Sequence, residues 1–141
     1  MREANDSSRF GKLAENRVAD LLRRHGLPNV FQQYANTYWD IEVDGRLIEV
    51  KAARFLKGTW QFNLHRHGSL NPHPLSAYVF CLADVPYMKR AWIYLVIPYT
   101  NLAGHLTVGM SIRSLICKYG RYADQWNSIL LLPRIKNPGS R

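Results

Sequence analysis

The chain has 141 residues, 47% of them hydrophobic, which suits one folded domain and excludes a disordered or fibrous chain. Nineteen Lys plus Arg against ten Asp plus Glu give a formal charge of +9, which favours a polyanionic partner. The longest apolar runs, such as 92–97, fall far short of the ~20 residues of a membrane helix. The polar N-terminus lacks the apolar stretch of a secretion signal, so an intracellular, cytoplasmic protein with no membrane partner is expected.

Asp6, Ser7 and Ser8 offer N-caps for a first helix, on which Phe10, Leu13, Ala14, Val18, Leu21 and Leu22 recur at helical spacing as far as Gly26 and Pro28. A short strand is expected at 30–34, and 39–43 alternates apolar and acidic residues as a half-buried strand does. Asp44-Gly45 signals a tight turn into a strand at 46–52, which makes a hairpin. In 59–66, Trp60, Phe62 and Leu64 alternate with Gln61, Asn63 and His65, again a strand, and 68–74 is a loop by composition. The apolar runs 78–82 and 91–97 read as buried strands. From Ser111 onward Ile112, Leu115, Ile116 and Tyr119 have helical spacing, with Gly120 expected to break or kink the helix before Trp126. Cys81 and Cys117 each sit among apolar residues and are expected to be buried free thiols. Trp60, Trp92 and Trp126 are assigned to the core or an interface. No repeat or linker divides the chain, so a single domain over 1–132 and a basic, flexible tail over 133–141 are expected.

The hairpin carries the chemistry. With a two-residue turn at Asp44-Gly45, Val43 pairs with Arg46, and counting outward sets Asp40 opposite Glu49. Directly opposed side chains have Cβ atoms about 4.5–5.5 Å apart, where like charges destabilise. A divalent cation would neutralise them, since Mg²⁺ prefers oxygen ligands and is commonly held by one or two carboxylates with waters and a substrate phosphate. Period-two alternation sets Lys51 on the face of Glu49. Such a cluster suits phosphodiester hydrolysis: the metal polarises the phosphoryl oxygen and acidifies a bound water, while Lys51 orients that water or stabilises developing charge. The alternative is a solvated hairpin face on which Lys51 merely offsets Glu49. Glu15 falls at the edge of the apolar stripe of the first helix, beside Gly11, Val18 and Leu22, where a carboxylate either reaches a neighbouring sheet or forms a local ion pair. Gly11 costs the helix about 1 kcal/mol relative to Ala and fits close approach of a backbone or a phosphate.

Gly11-x-x-x-Glu15 on an opening helix, Asp40 on one strand and Glu49-Val50-Lys51 on the next resemble the PD-(D/E)XK nuclease superfamily over roughly the first half of the chain. In order and small size the pattern is most similar to archaeal Holliday-junction resolvases. The resemblance implies a restriction-endonuclease-like α/β fold, with a central mixed β-sheet flanked by helices. It further implies Mg²⁺, or Mn²⁺ in its place, bound by Asp40 and Glu49, with Glu15 contributing to metal or water positioning, Lys51 activating water, and a homodimer. Trp39 stands where the nominal proline of the superfamily would be, the interval from Asp40 to Glu49 is short for a resolvase, and only Thr37 stands in for the resolvase serine. Restriction, homing and repair endonucleases of the same fold therefore stay open.

Gln61, Asn63 and His65 share one face of their strand and continue into Arg66, His67 and His73, while Arg9 and Lys12 belong to the basic side of the first helix. All except His73 are candidate DNA contacts, against the alternative of ordinary solvent-facing positions. His65-x-His67 lacks a second Cys or His pair at zinc spacing, and no Walker-type or Rossmann glycine loop points to a nucleotide cofactor. The resulting expectation is a Mg²⁺-dependent endonuclease on double-stranded or branched DNA, junction-selective and homodimeric, serving recombination or repair. The alternative of another class is a non-catalytic DNA-binding module.

Overall fold

An unbroken helix, α1 (Arg2–Arg24), opens the chain and passes through Asp6, Ser7 and Ser8, so the expected N-cap is overtaken by four further residues of helix before it. The computed structural model describes residues 2–33, 38–66, 69–70, 74–88 and 91–135, with the side chains of all these except 2–7, 65–66 and 69–70. After α1 come β1 (Val30–Gln32), β2 (Ile41–Val43), β3 (Arg46–Arg54), β4 (Thr59–Asn63), β5 (His65–Arg66), β6 (Ser69–Leu70), β7 (Ala77–Ala83), β8 (Ile93–Pro98), β9 (Thr107–Ser111) and α2 (Ile112–Ser114). A π-helical turn, Leu115–Tyr119, and the 3-10 turns Tyr99–Leu102, Gly120–Tyr122 and Trp126–Leu131 complete the described chain.

The central sheet has five strands in the order β1-β2-β3-β7-β8. Only the β3–β7 pair is parallel, so the sheet is mixed, as expected. All seven residues of β7 are buried, because helix covers one face of this central strand and a second sheet covers the other. On the first face Ala14, Val18, Ala19 and Leu22 of α1 pack with Ile48, Val50, Val79 and Cys81. On the opposite face Leu47, Tyr78, Phe80, Leu95 and Ile97 meet Trp60, Phe62, Val108 and Met110 from the antiparallel β4–β9 pair. Phe62 lies parallel to Phe80 with ring centroids 4.2 Å apart, and the Trp60 indole donates to the Ala83 carbonyl at 2.7 Å. Trp60 and Trp126 are core residues, whereas Trp92 is half-buried beside Phe10.

Four local expectations change. The strand expected at 59–66 is interrupted at Leu64, whose N–H makes a last bond towards the β9 side, to the Leu106 carbonyl. Its end, β5, pairs with β6 inside the stretch expected to be loop. The helix expected from Ser111 is capped there, with Ser111 Oγ accepting from the Ser114 N–H at 3.1 Å, but it widens into the π-helical turn after three residues. Gly120 marks the next change of winding: a Cβ on it would meet the Leu115 carbonyl oxygen at 3.1 Å. Cys117 is exposed, and only Cys81 is buried; burial pushes the Cys81 thiol up. Among the described residues no helix is long and apolar enough to cross a membrane.

The tail expected from residue 133 is docked over its first three residues; 136–141 lie outside the described residues. Arg134 donates to the Asp44 carbonyl at 2.9 Å and to Asp44 Oδ2 at 2.8 Å, and the Ile135 N–H donates to the Gly45 carbonyl. Arg46, almost fully buried, donates to the carbonyls of Leu130 and Leu132 at 2.7 and 3.0 Å, which ties the last 3-10 turn to the same hairpin. The Asn29 amide and the Arg134 guanidinium donate to the Asp44 carboxyl and hold it below its ordinary value of 3.8. A carboxylate with a depressed folded pKa stabilises above its unfolded value, and that contribution is lost as pH falls through the folded value. The melting-temperature gap between the wild type and Asp44→Asn, followed by circular dichroism over a pH series, is accordingly present above pH 3.8 and closes as the solution is acidified below it.

Candidate active site

Register places the site. Asp44 and Gly45 both have positive φ, 47° and 84°, the conformation of a two-residue hairpin turn whose twist matches its strands. The pairs Val43↔Arg46, Glu42↔Leu47 and Ile41↔Ile48 follow, as the turn predicts. At Asp40 the ladder departs from that count. The Asp40 N–H donates to the Ile48 carbonyl, and its carboxylate Oδ2 accepts the Val50 N–H at 2.7 Å. Asp40 is thus not the laddered partner of Glu49. Strand β2 has ended, and the Val50 N–H, which a longer β2 would have satisfied, is satisfied by the Asp40 side chain instead. The carboxylate is thereby fixed beside the main chain that joins Glu49 to Lys51.

Glu49 is 0% exposed, and Lys51 Nζ lies 3.6 Å from its Oε1 with 23% of the lysine side chain exposed. Alternation puts both on the β3 face shared with Leu47 and Ala53, so the expected common face is formed. Taking a carboxylate out of water costs several kcal/mol even after relaxation, and the lysine ammonium supplies the opposing charge that makes this position tolerable.

Helix α1 packs on the other β3 face, against Ile48 and Val50. Two contacts fix its level along the sheet. Arg23 donates to the Val30 carbonyl near the turn, and Asn16 accepts from Gln32, the register partner of Ile41. Glu15, half-buried, belongs to this helix, between Ala14, which packs with Ile48 and Val50, and Asn16, which is bonded to Gln32. Among the described residues no group of three or more His, Cys, Asp or Glu side chains is arranged to hold a metal ion, so Glu15, Asp40 and Glu49 do not converge as a triad. The space beside Gly11 is open to 4 Å, and no neighbouring backbone requires that glycine.

The expected DNA contacts are scattered. Gln61 and Asn63 are exposed on β4, whose buried residues Trp60 and Phe62 lie between them and the central sheet. Gln61 donates to Thr59 Oγ1. His65 and Arg66 are described only as backbone, and His67 lies outside the described residues. Arg9 and Lys12 sit on α1 near the end of β3, where Arg9 joins Phe10, Leu13 and Arg54 around a depression of about 370 Å³. Arg54, which the sequence reading passed over, stacks its guanidinium 4.3 Å from the Phe10 ring centroid. Its position three residues after Lys51 at the end of a strand was the available signal.

At the level of sequence, no family profile and no curated protein matches the chain. Among solved structures, the fold is similar to that of a bacterial homing endonuclease, I-Ssp6803I, with a TM-score of 0.59 over 86% of this chain and 90% of that one, at 14% identity. A likeness at that identity establishes a shared fold, which in this chain is a mixed five-stranded sheet carrying helices.

The cap on Val50 makes Asp40 separable from Glu49 by substitution. Asp40→Ala leaves the Val50 amide without its acceptor and lowers stability by about 1–2 kcal/mol, whereas Asp40→Asn retains an amide oxygen for it. Hydrogen exchange read at the Val50 amide should speed up in the alanine variant and stay close to wild type in the asparagine one.

Proposed function

We propose that this chain is a divalent-cation-dependent DNA endonuclease. The observation that carries the reading is the fully buried Glu49 carboxylate with Lys51 Nζ 3.6 Å away, beside a second carboxylate, Asp40, locked onto the intervening Val50 N–H. A protein has little structural reason to bury an acid where an apolar residue of similar volume would be neutral or stabilising. Buried, charge-coupled groups of this kind concentrate at functional sites.

The donor set fits a hard cation. Asp40 and Glu49 provide carboxylate oxygens only, and Mg²⁺ is commonly held by one or two carboxylates with waters and substrate phosphate completing its octahedron. Bound there, Mg²⁺ or Mn²⁺ would polarise the phosphoryl oxygen and lower the pKa of a water. The chain's own residues do the rest. The Val50 N–H orients Asp40, and burial keeps Glu49 from reorienting. Lys51, partly exposed, offers ammonium protons to the attacking water or to the developing negative charge on phosphorus oxygens. Glu15 is assigned a role in positioning the metal or the water.

DNA as the polyanion is supported by the +9 charge and by the fold shared with a homing endonuclease. That likeness favours cleavage of duplex at a specific sequence as the second form of the reading. The junction-selective, homodimeric form rests on the resolvase-like order of Glu15, Asp40, Glu49 and Lys51. Incubating the protein with plasmid, linear duplex and four-way junctions, with Mg²⁺ or with chelator, separates these forms. Cutting should require the cation and fall about 100-fold or more in Glu49→Gln and in Lys51→Ala. Symmetric nicking of junctions selects the resolvase form and a single cut in linear duplex the homing form. Binding with no cation-dependent cutting leaves a non-catalytic DNA-binding module in place of the nuclease.

A further inference from the structure

We propose that a basic, tyrosine-walled pocket beyond the sheet edge at β8 is a subsite for a nucleotide unit of the substrate strand, an assignment that rests on the nuclease reading above. The pocket has a volume of about 310 Å³, and its polar lining is His105, Lys118, Arg121, Asn101, Tyr119 and Tyr122, with no carboxylate among the described residues. Its chemistry suits a phosphate attached to a flat ring. The Arg121 guanidinium lies 4.8 Å from the Tyr122 ring centroid, and Lys118 Nζ lies 5.2 Å from that of Tyr119. Cation and aromatic ring therefore alternate along one short segment, the combination that binds single strands by charge and stacking.

The Tyr122 hydroxyl is the organising group. Its oxygen accepts from Asn101 Nδ2 and from Arg121 Nη2, both at 2.7 Å. A phenol oxygen has two acceptor positions and one proton, so these bonds orient the hydroxyl proton for donation to a further acceptor. Arg121 is held with guanidinium N–H groups to spare, and a phosphate oxygen is an acceptor for both. The backbone is specialised at the same place. Lys118 and Tyr119 belong to the π-helical turn, a form found in short pieces and frequently at functional sites. Gly120 lets the Leu115 carbonyl approach to where a side chain would crowd it.

Sheet geometry connects this pocket to the candidate active site. Glu49 is the register partner of Tyr78, and Tyr78 that of Ile97, which lines the pocket. Register partners point to the same face, and Tyr78, Ile97, Tyr119 and Tyr122 belong to one packed cluster with Leu47. With strands about 4.8 Å apart, Ile97 stands roughly 10 Å from Glu49, with the buried Tyr78 between them.

The test is equilibrium binding of a fluorescent DNA duplex in chelator over a salt series, with thermal melts confirming that each variant is folded. Lys118→Ala/Arg121→Ala should weaken binding about tenfold and flatten the log–log salt slope by about 0.9, the value for one phosphate contact. Tyr122→Phe, which changes no charge, should weaken it by about threefold or more. Arg23→Ala/Arg24→Ala removes equal charge from the far side of the sheet and should have a smaller effect. Equal losses in the two charge pairs, or wild-type binding by Tyr122→Phe, would overturn the subsite, as would failure of the wild type to bind duplex. So would tight binding of a nucleoside monophosphate with duplex affinity unchanged in the variants, which assigns the pocket to free nucleotides. Cation-dependent cutting, assayed in parallel, reports on the nuclease reading alone: if it is missing while the pocket variants still lose duplex binding, the nuclease reading falls and the pocket stands as a DNA-binding site of a non-catalytic module.

Discussion

The positive-φ turn at Asp44 and Gly45 sets a single register for β2 and β3, and both faces of β3 take their roles from it. A slip of one residue would turn Glu49 and Lys51 towards α1 and put Ile48 and Val50 on the other face. The rest of the chain returns to guard that turn. Asn29 and Arg134 hold the Asp44 carboxyl, and Arg46 binds the carbonyls of the last 3-10 turn. The C-terminal segment thus closes over the one place where the register is decided.

Three of the charged groups on this hairpin, Arg46, Asp44 and Glu49, are accommodated differently. Arg46 is buried but spends its fork of donors on carbonyls and on Asp44, so its placement has a full structural explanation. Asp44 remains near solvent and serves as the anchor for Arg134. Glu49 is the exception, because it is buried on a face otherwise made of Leu47, Tyr78 and Phe80, with a lysine ammonium as its neighbour. Structural economy accounts for the first two and not for the third, and the chemical reading concentrates there for that reason.

The short length of β2 has a consequence for the edge of β3. Because the strand stops at Ile41, the edge of β3 opens at Val50, and Asp40 turns inward to cap it. A longer β2 would have paired that amide and left Asp40 on the ladder. Ending the strand delivers an oriented carboxylate beside Glu49 and Lys51, while the parallel β7 and antiparallel β8 continue the same face towards Ile97 and the tyrosine-walled pocket.

Local chemistry alone was enough to specify the helix of α1, the Asp44-Gly45 hairpin, the alternation of β4 and the shared face of Glu49 and Lys51. Each depends on residues near one another in the chain and on the fixed periods of helix and strand. The tertiary structure decided what local periods cannot carry. The Asp40 cap depends on where β2 stops, and the docking of 133–135 depends on a guanidinium reaching a turn ninety residues earlier. The exposure of Cys117 depends on which face of the π-helical turn meets the core, which its apolar sequence neighbours do not decide. The alignment of Glu49, Tyr78 and Ile97 across three strands arises from one parallel and one antiparallel pairing between segments distant in sequence, and no pattern within a segment encodes that pairing.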